Sequence, residues 1–244
     1  MAPHTPTARR TARFLGLLSV LTYNWWVGAV AVGLMPSPDG MFSDLEATGV
    51  PHASVFEHLD VASGLLICVG LMVLGPPVAN ERVREWKLLM GFGLAGVIGG
   101  MYPYACPEGR DDACRAAEWT FQLPLHHYIH MVSGIAEFGF ATLAIVLIWR
   151  RLHDGAVHVW STTASALAIG LLVGYPALAL SYLIDRWDAP VEAFFFVLFA
   201  GVVAMVFLEP DADEIPQETA ATRTRSAPAT PCPAQRPPSG QDCS

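Results

Sequence analysis

The chain has 244 residues, of which 53% are hydrophobic and only 15% are charged, against roughly 25% charged in an average soluble domain. With a mean hydropathy of +0.40, it is excluded from the disordered chains, the disulfide-stapled miniproteins and the nucleic-acid binders, which need a basic face. Its net charge of −8 comes from 22 acids against 14 bases, an odd balance for so apolar a chain, and the placement of those charges is informative.

A helix needs about 20 mainly apolar residues to cross a bilayer. In chain order the runs are Phe14–Met35, Val55–Gly75, Trp86–Tyr102, Leu125–Trp149, Trp160–Tyr182 and Val191–Leu208. The first is interrupted only by Ser19, Thr22 and Asn24, the third is glycine-rich, and the fifth contains Tyr175-Pro176. Backbone that faces lipid must satisfy itself, and runs of this length favour helices over the short alternating strands of a barrel. The expected fold is therefore all-α: a polytopic membrane bundle of six transmembrane helices over residues 14–208. A cytosolic segment (1–13) precedes it. A tail from 209 to 244, rich in Pro, Ala, Thr and Arg, is expected to be disordered and cytosolic. The first apolar run is longer than a signal-peptide core and reads as a retained span.

Charge sets the direction. Arg9, Arg10 and Arg13 precede the first run, Arg82, Arg84 and Lys87 lie between the second and third, and Arg150 and Arg151 follow the fourth. With six spans these fall on one side. The other side carries twelve acids, among them Asp44, Glu46, Asp60, Glu108, Glu118 and Glu192, against Arg110, Arg115 and Arg186. The positive-inside rule then places both termini in the cytoplasm of a multi-pass cell-membrane protein. Cys106 and Cys114 share one outer loop, where an oxidising compartment would permit a disulfide.

Aligning Ser63-Gly64 with Ser133-Gly134 brings out a weak duplication. Each unit passes from a span through a Pro-Asp-Gly or Pro-Glu-Gly turn (Pro38-Asp39-Gly40, Pro107-Glu108-Gly109) and an acidic loop into a second span. The expected architecture is thus a set of helix-hairpin repeats, with the last two spans as a third unit. Together with Tyr102-Pro103, His126-His127-Tyr128-Ile129-His130 and the acidic loop, this pattern resembles a bacterial six-helix membrane family catalogued as a domain of unknown function, number 998. The resemblance covers residues 14 to 208 and implies six helices and a cell-membrane location. It implies no activity and no catalytic residues, and the long loop with two cysteines departs from the family pattern.

Ionisable groups inside a membrane are costly and usually functional. Glu137 lies near the middle of the fourth run, and His126, His130, Ser133 and Glu137 follow a 4, 3, 4 spacing that puts them on one helix face. Glu57, Asp60 and Ser63 form a matching stripe on the second run, with His58 beside it. If the stripes face each other, they line a polar pocket that opens outward between the second and fourth spans. Asn24, Trp25 and Ser133 are then candidates for substrate contact, and Glu137, His130 and Asp60 for catalysis.

His58, Asp60, His127 and His130 have residue types and spacings that suit a divalent metal, and a metal-bound water could hydrolyse a lipid ester or amide. Two histidines could also hold a haem, though ligand pairs are not duplicated at the inner face. No HExxH or G-x-S-x-G motif is present. Without a metal, a carboxylic acid among aromatics suits acid chemistry on an isoprenoid. The leading expectation is binding or conversion of a lipid, isoprenoid or other amphiphile, with membrane lipids as partners and no nucleic acid. The alternatives are a proton-coupled small-molecule transporter, a metal-dependent membrane hydrolase and a non-catalytic membrane subunit. The residues leave enzyme and non-enzyme open, and they name no cofactor.

Overall fold

A computed structural model describes residues 5–34, 40–77, 80–153, 158–184 and 186–209. The expected disordered tail from 210 onward, Met35 at the end of the first run, the Pro38-Asp39 part of the first turn motif and Asp185 lie outside the described residues, whereas Glu209, expected in that tail, is described. Among the described residues there are eight α-helices, two 3-10 turns and no strand. The helices are α1 (Pro6–Tyr23), α2 (Trp25–Ala31), α3 (Ala53–Leu74), α4 (Asn80–Met101), α5 (Asp112–Trp119), α6 (Leu125–His153), α7 (His158–Ile184) and α8 (Asp188–Leu208).

The first run is not one straight helix. α1 and α2 are bent by 41° at Asn24. The amide side chain allows the break: Nδ2 donates to the Val20 carbonyl at 2.9 Å, and Oδ1 accepts from Trp26 Nε1 at 3.0 Å. Backbone freed by a break inside a membrane must find such partners.

Four helices (α3, α6, α7 and α8) are long and apolar enough to cross a bilayer, and the bent α1–α2 pair makes a fifth. α4 falls short of that mark, contrary to the expectation of six such spans. Its first eight positions include charged residues at 81, 82, 84, 85 and 87. The remaining apolar stretch from Leu88 to Met101 spans about 21 Å, less than the roughly 30 Å hydrocarbon core.

Helices adjacent in sequence are neighbours in space. α1 packs on α3, α3 on α4, α4 on α6, α6 on α7 and α7 on α8, and α8 returns to α1. The result is a closed ring around an aromatic core. Tyr23, Phe92, Phe195, Phe196 and Phe199 are all buried. The Tyr23 ring meets Phe92, Phe196 and Phe199 at 6.0, 5.4 and 6.1 Å, and Phe138 stacks on Phe195 at 5.1 Å. The outer surface is apolar as well: Leu21, Ile135, Val173 and Leu183 are all exposed. A soluble protein rarely leaves so much apolar surface uncovered.

Glycine lets α4 wedge between its neighbours. A methyl group at Gly64 of α3 would fall 2.8 Å from the Val97 backbone nitrogen and closer still to the Gly93 carbonyl oxygen. One at Gly100 would fall 2.6 Å from the Glu57 carbonyl oxygen. On the opposite side, Gly96 and Gly99 face Glu137 and Ser133 of α6. The two Ser-Gly pairs of the expected repeat are thus unequal in surroundings. Gly64 is in tight backbone contact, whereas nothing lies within 4 Å of where a side chain at Gly134 would begin.

Two clasps hold the ends of the ring. At one end Arg151 of α6 donates Nε and Nη2 to Glu85 of α4, at 2.8 and 3.0 Å, and Nη1 and Nη2 to Glu209 after α8, at 2.7 and 2.9 Å. Arg82 also reaches Glu209, at 3.1 Å. The other end carries a cap built from the two long loops.

Candidate functional site

The cap begins at the 3-10 turn Ser43–Glu46 and continues through a second one, Glu108–Arg110, into α5. Asp111 starts α5 by accepting the Ala113 and Cys114 amides at 2.9 and 3.2 Å, an N-cap interaction. Cys106 and Cys114 are joined as a disulfide with Cα atoms 6.1 Å apart. The two loops meet where the Thr48 amide donates to the Tyr104 carbonyl at 2.9 Å and the Gly109 amide donates to Asp44 Oδ2 at 3.2 Å.

The cap is fastened to the helices by buried polar contacts. Glu192 at the start of α8 accepts the Phe42 and Ser43 amides. Tyr182 of α7 donates to Glu118, and its hydroxyl is 3.3 Å from Glu108 Oε2. His127 is fully buried: its Nδ1 accepts the Ala105 amide at 3.2 Å, so Nε2 carries the proton and donates to Glu118 Oε2 at 2.8 Å.

The surroundings move the acids of the cap in different directions. Burial pushes the Asp44 carboxyl up to about 6, although backbone amides of Met41 and Gly109 favour its charge. It pushes Glu108 up to about 8, assisted by the neighbouring carboxylates of Glu118 and Asp44. Burial also acts upward on Glu118, but hydrogen bonds from His127 and Tyr182 outweigh it and hold this carboxyl below its ordinary value.

A raised acid binds its proton more tightly in the folded protein, so the stability it contributes is full below its unfolded value. It is lost as pH rises through the folded value. For Asp44 that window runs from about 4 to about 6, and for Glu108 from about 4.5 to about 8. Glu118 acts oppositely: its contribution is present above its unfolded value and fades as pH falls. Amides of the cap are therefore expected to lose hydrogen-exchange protection between mildly acidic and mildly alkaline pH. Glu108→Gln should flatten the upper part of that loss. Equal protection across the range, after correction for intrinsic rates, would show that these carboxyls do not govern the cap.

Beneath the cap, the sequence candidates separate. Asp60 of α3 accepts Trp25 Nε1 at 2.8 Å, and the Trp25 ring stacks on Phe56 at 4.4 Å. Glu137 of α6 faces Gly96 of α4, its Oε1 3.1 Å from where a side chain there would begin, and has Tyr23 of α1 as a polar neighbour. His130 is buried; its Nδ1 donates to the Tyr102 carbonyl at 3.1 Å, and its ring lies 4.0 Å from that of Tyr104. Ser133 donates to its own helix, at the His130 carbonyl, at 2.7 Å. His58 is exposed on α3 and bonds to the Ser54 carbonyl.

His58, Asp60, His127 and His130 do not form one ligand set, although the His127 and His130 rings both pack on Tyr104, at 4.8 and 4.0 Å. Among the described residues no group of three or more His, Cys, Asp or Glu is placed to hold a metal ion. The reason is α4, which packs against both α3 and α6 and fills the space in which the two polar stripes were expected to meet. A groove of about 580 Å³ lies between the bent first span and α3. It is lined by Leu21, Asn24, Trp25, Gly28, Val32 and Phe56, with His52 and Val55 near the start of α3. Asn24 and Trp25 are thus at the groove, and Ser133 is not among its lining residues.

Several residues that matter here carried no sequence signal beyond polarity. Tyr23 lay within an apolar run. Glu46, Glu118 and Glu192 counted only as outer charges, and Tyr182 counted only as a span end. Their pairing depends on loops folding back over the ring, which no spacing rule reveals.

A ring of apolar helices with an apolar exterior, a bent first span and polar clasps at both ends defines a multi-pass helical membrane protein. The chain belongs to the family described as "Protein of unknown function (DUF998)", whose model matches residues 17–209. No curated protein and no solved structure matches it.

Proposed function

We propose that this protein holds the hydrocarbon chain of a membrane lipid, isoprenoid or similar amphiphile in the groove at the bend of its first span. The bundle then crosses the cell membrane six times as three helix pairs, α4 serving as the third crossing between α3 and α6. Both ends are cytoplasmic: the arginine clasp marks the inner face and the disulfide-bearing cap the outer one.

The observation that carries this reading is the groove itself. Its walls are almost wholly apolar, and its size falls within the range of small-molecule sites. Leu21, Val32 and Val55 on its rim are exposed, so a chain can enter sideways from the bilayer. Asn24 is already engaged with Val20 and Trp26, which leaves the groove with shape and apolarity as its means of selection.

Gly28 offers a direct test. It lines the groove, and nothing lies within 4 Å of where its side chain would begin. Gly28→Trp is therefore expected to fill the groove without disturbing the ring. Protein purified in mild detergent should carry bound lipid by native mass spectrometry. The variant should lose it by about tenfold, equivalent to roughly 1.4 kcal/mol, while its thermal midpoint stays within a few degrees. Undiminished lipid in a folded variant would refute the groove as the site.

A further inference from the structure

One buried polar atom in the cap has no counterpart. Glu46 is 1% exposed, and its Oε2 has no hydrogen-bond partner. Its carboxyl has the Asp60 carboxyl as its neighbour on α3, the helix against which the 3-10 turn that carries it packs. Two carboxylates offer each other only acceptors. Native proteins leave few buried polar atoms unsatisfied, and each such atom calls for a cause. A single proton held between the two carboxyls supplies the donor that Glu46 lacks. Close carboxylates cannot both stay ionised away from water.

We propose that Glu46 and Asp60 form a proton-binding dyad reached from the outer side. The arrangement around it is specific. Glu192 holds the Phe42 and Ser43 amides and so fixes the turn that aims Glu46 at Asp60. Trp25 Nε1 holds Asp60 Oδ1 from the α2 side. The groups facing the dyad are Glu57 on its own helix α3, Glu192 on α8, Tyr23 and Trp25 on the first span, and Glu137 on α6. All are acidic or aromatic, and none brings a positive charge to stand in for the proton. When pH rises, the proton leaves to the outer solution and both carboxyls remain as carboxylates, so the step needs no co-reactant. The dyad meets the lipid groove at Trp25, which lines the groove and holds Asp60, but its proton does not depend on a bound lipid.

Infrared spectroscopy of the full chain tests this. A protonated carboxyl gives a C=O stretch that shifts in D₂O, and the number of such groups can be counted by substitution. Glu46→Gln keeps a donor for Asp60, and Asp60→Asn keeps one for Glu46, so both variants should fold. Each should lose the same one-carboxyl component from the neutral-pH spectrum, and the double variant should lose no more than either alone. On alkalinisation each chain of wild type should release one more proton than a chain of Glu46→Gln.

No lost component would overturn the dyad, and additive losses would show two separately protonated acids and overturn it too. If sodium or potassium chloride, at constant ionic strength, raises the thermal midpoint of wild type but not of Glu46→Gln, the pair holds a metal cation and the proposal fails. Gly28→Trp should leave the component intact, so failure of the groove reading and failure of the dyad are separately visible.

Discussion

Gly64→Ala is expected to destabilise the protein by about 2–3 kcal/mol, at the upper end of the usual cost of overpacking. The added methyl would meet the Val97 nitrogen at 2.8 Å and the Gly93 carbonyl oxygen at even shorter range. These atoms are backbone and cannot rotate away, so α3 and α4 must separate. The separation would also disturb Gly93 against Cys68 and Gly100 against Glu57, because all three contacts lie on one seam. At this chain length the loss corresponds to roughly 5–10 °C in thermal midpoint.

Gly134→Ala should do the opposite. Its surroundings are open, and alanine in a helix interior gains up to about 1 kcal/mol over glycine. Midpoints of the two variants in one detergent decide the matter. Equal effects would mean that α3 and α4 are not packed through glycine.

Arg151→Met should cost about 2–3 kcal/mol. Removing one partner of a buried ion pair typically costs 3–5 kcal/mol, because the other partner is left uncompensated. Here two carboxylates, Glu85 and Glu209, lose their shared guanidinium. The figure is reduced because the side chains of Arg151 and Glu209 keep 16% and 15% of their surface accessible. Arg151→Lys should recover only part of the loss, since an ammonium cannot form the two-pronged contact to Glu85. Adding Glu85→Gln to Arg151→Met should restore part of the stability by removing one stranded charge. A midpoint for Arg151→Met equal to that of wild type would show that the clasp contributes nothing.

Much of the architecture was readable from the chain. The apolar runs at 55–75, 125–149, 160–182 and 191–208 reappear as α3, α6, α7 and α8, each extended by a few residues at one or both ends. The first run was readable as apolar but not as bent. Asn24 marked the place, yet whether a buried amide breaks a helix or bonds across it depends on its neighbours. The third run was readable as glycine-rich, but its charged start keeps α4 outside the ordinary measure of a span. The cap was not readable. α5 and the two 3-10 turns lie in loops whose sequence is merely polar, and they take shape by pairing with one another.

Residue type and helical spacing marked Glu137, Asp60, His127 and His130 as candidates for catalysis or metal binding, but not their surroundings. Their partners come from elsewhere: Tyr23, Trp25 and Glu46, Glu118 and Ala105, and the Tyr102 carbonyl. Helical spacing places residues on a face but does not say which helix that face meets.

Composition, run length and glycine content alone determined that this chain forms a multi-pass helical membrane protein, because transfer from water to lipid depends on local apolarity. Only the tertiary structure decided that α4 separates the two polar stripes, that the groove opens at the bend of the first span, and that Glu46 descends onto Asp60. Those outcomes rest on close approach between distant segments, through glycine at one seam and through buried carboxyls at another. That approach depends on shape in three dimensions rather than on periodicity along the chain.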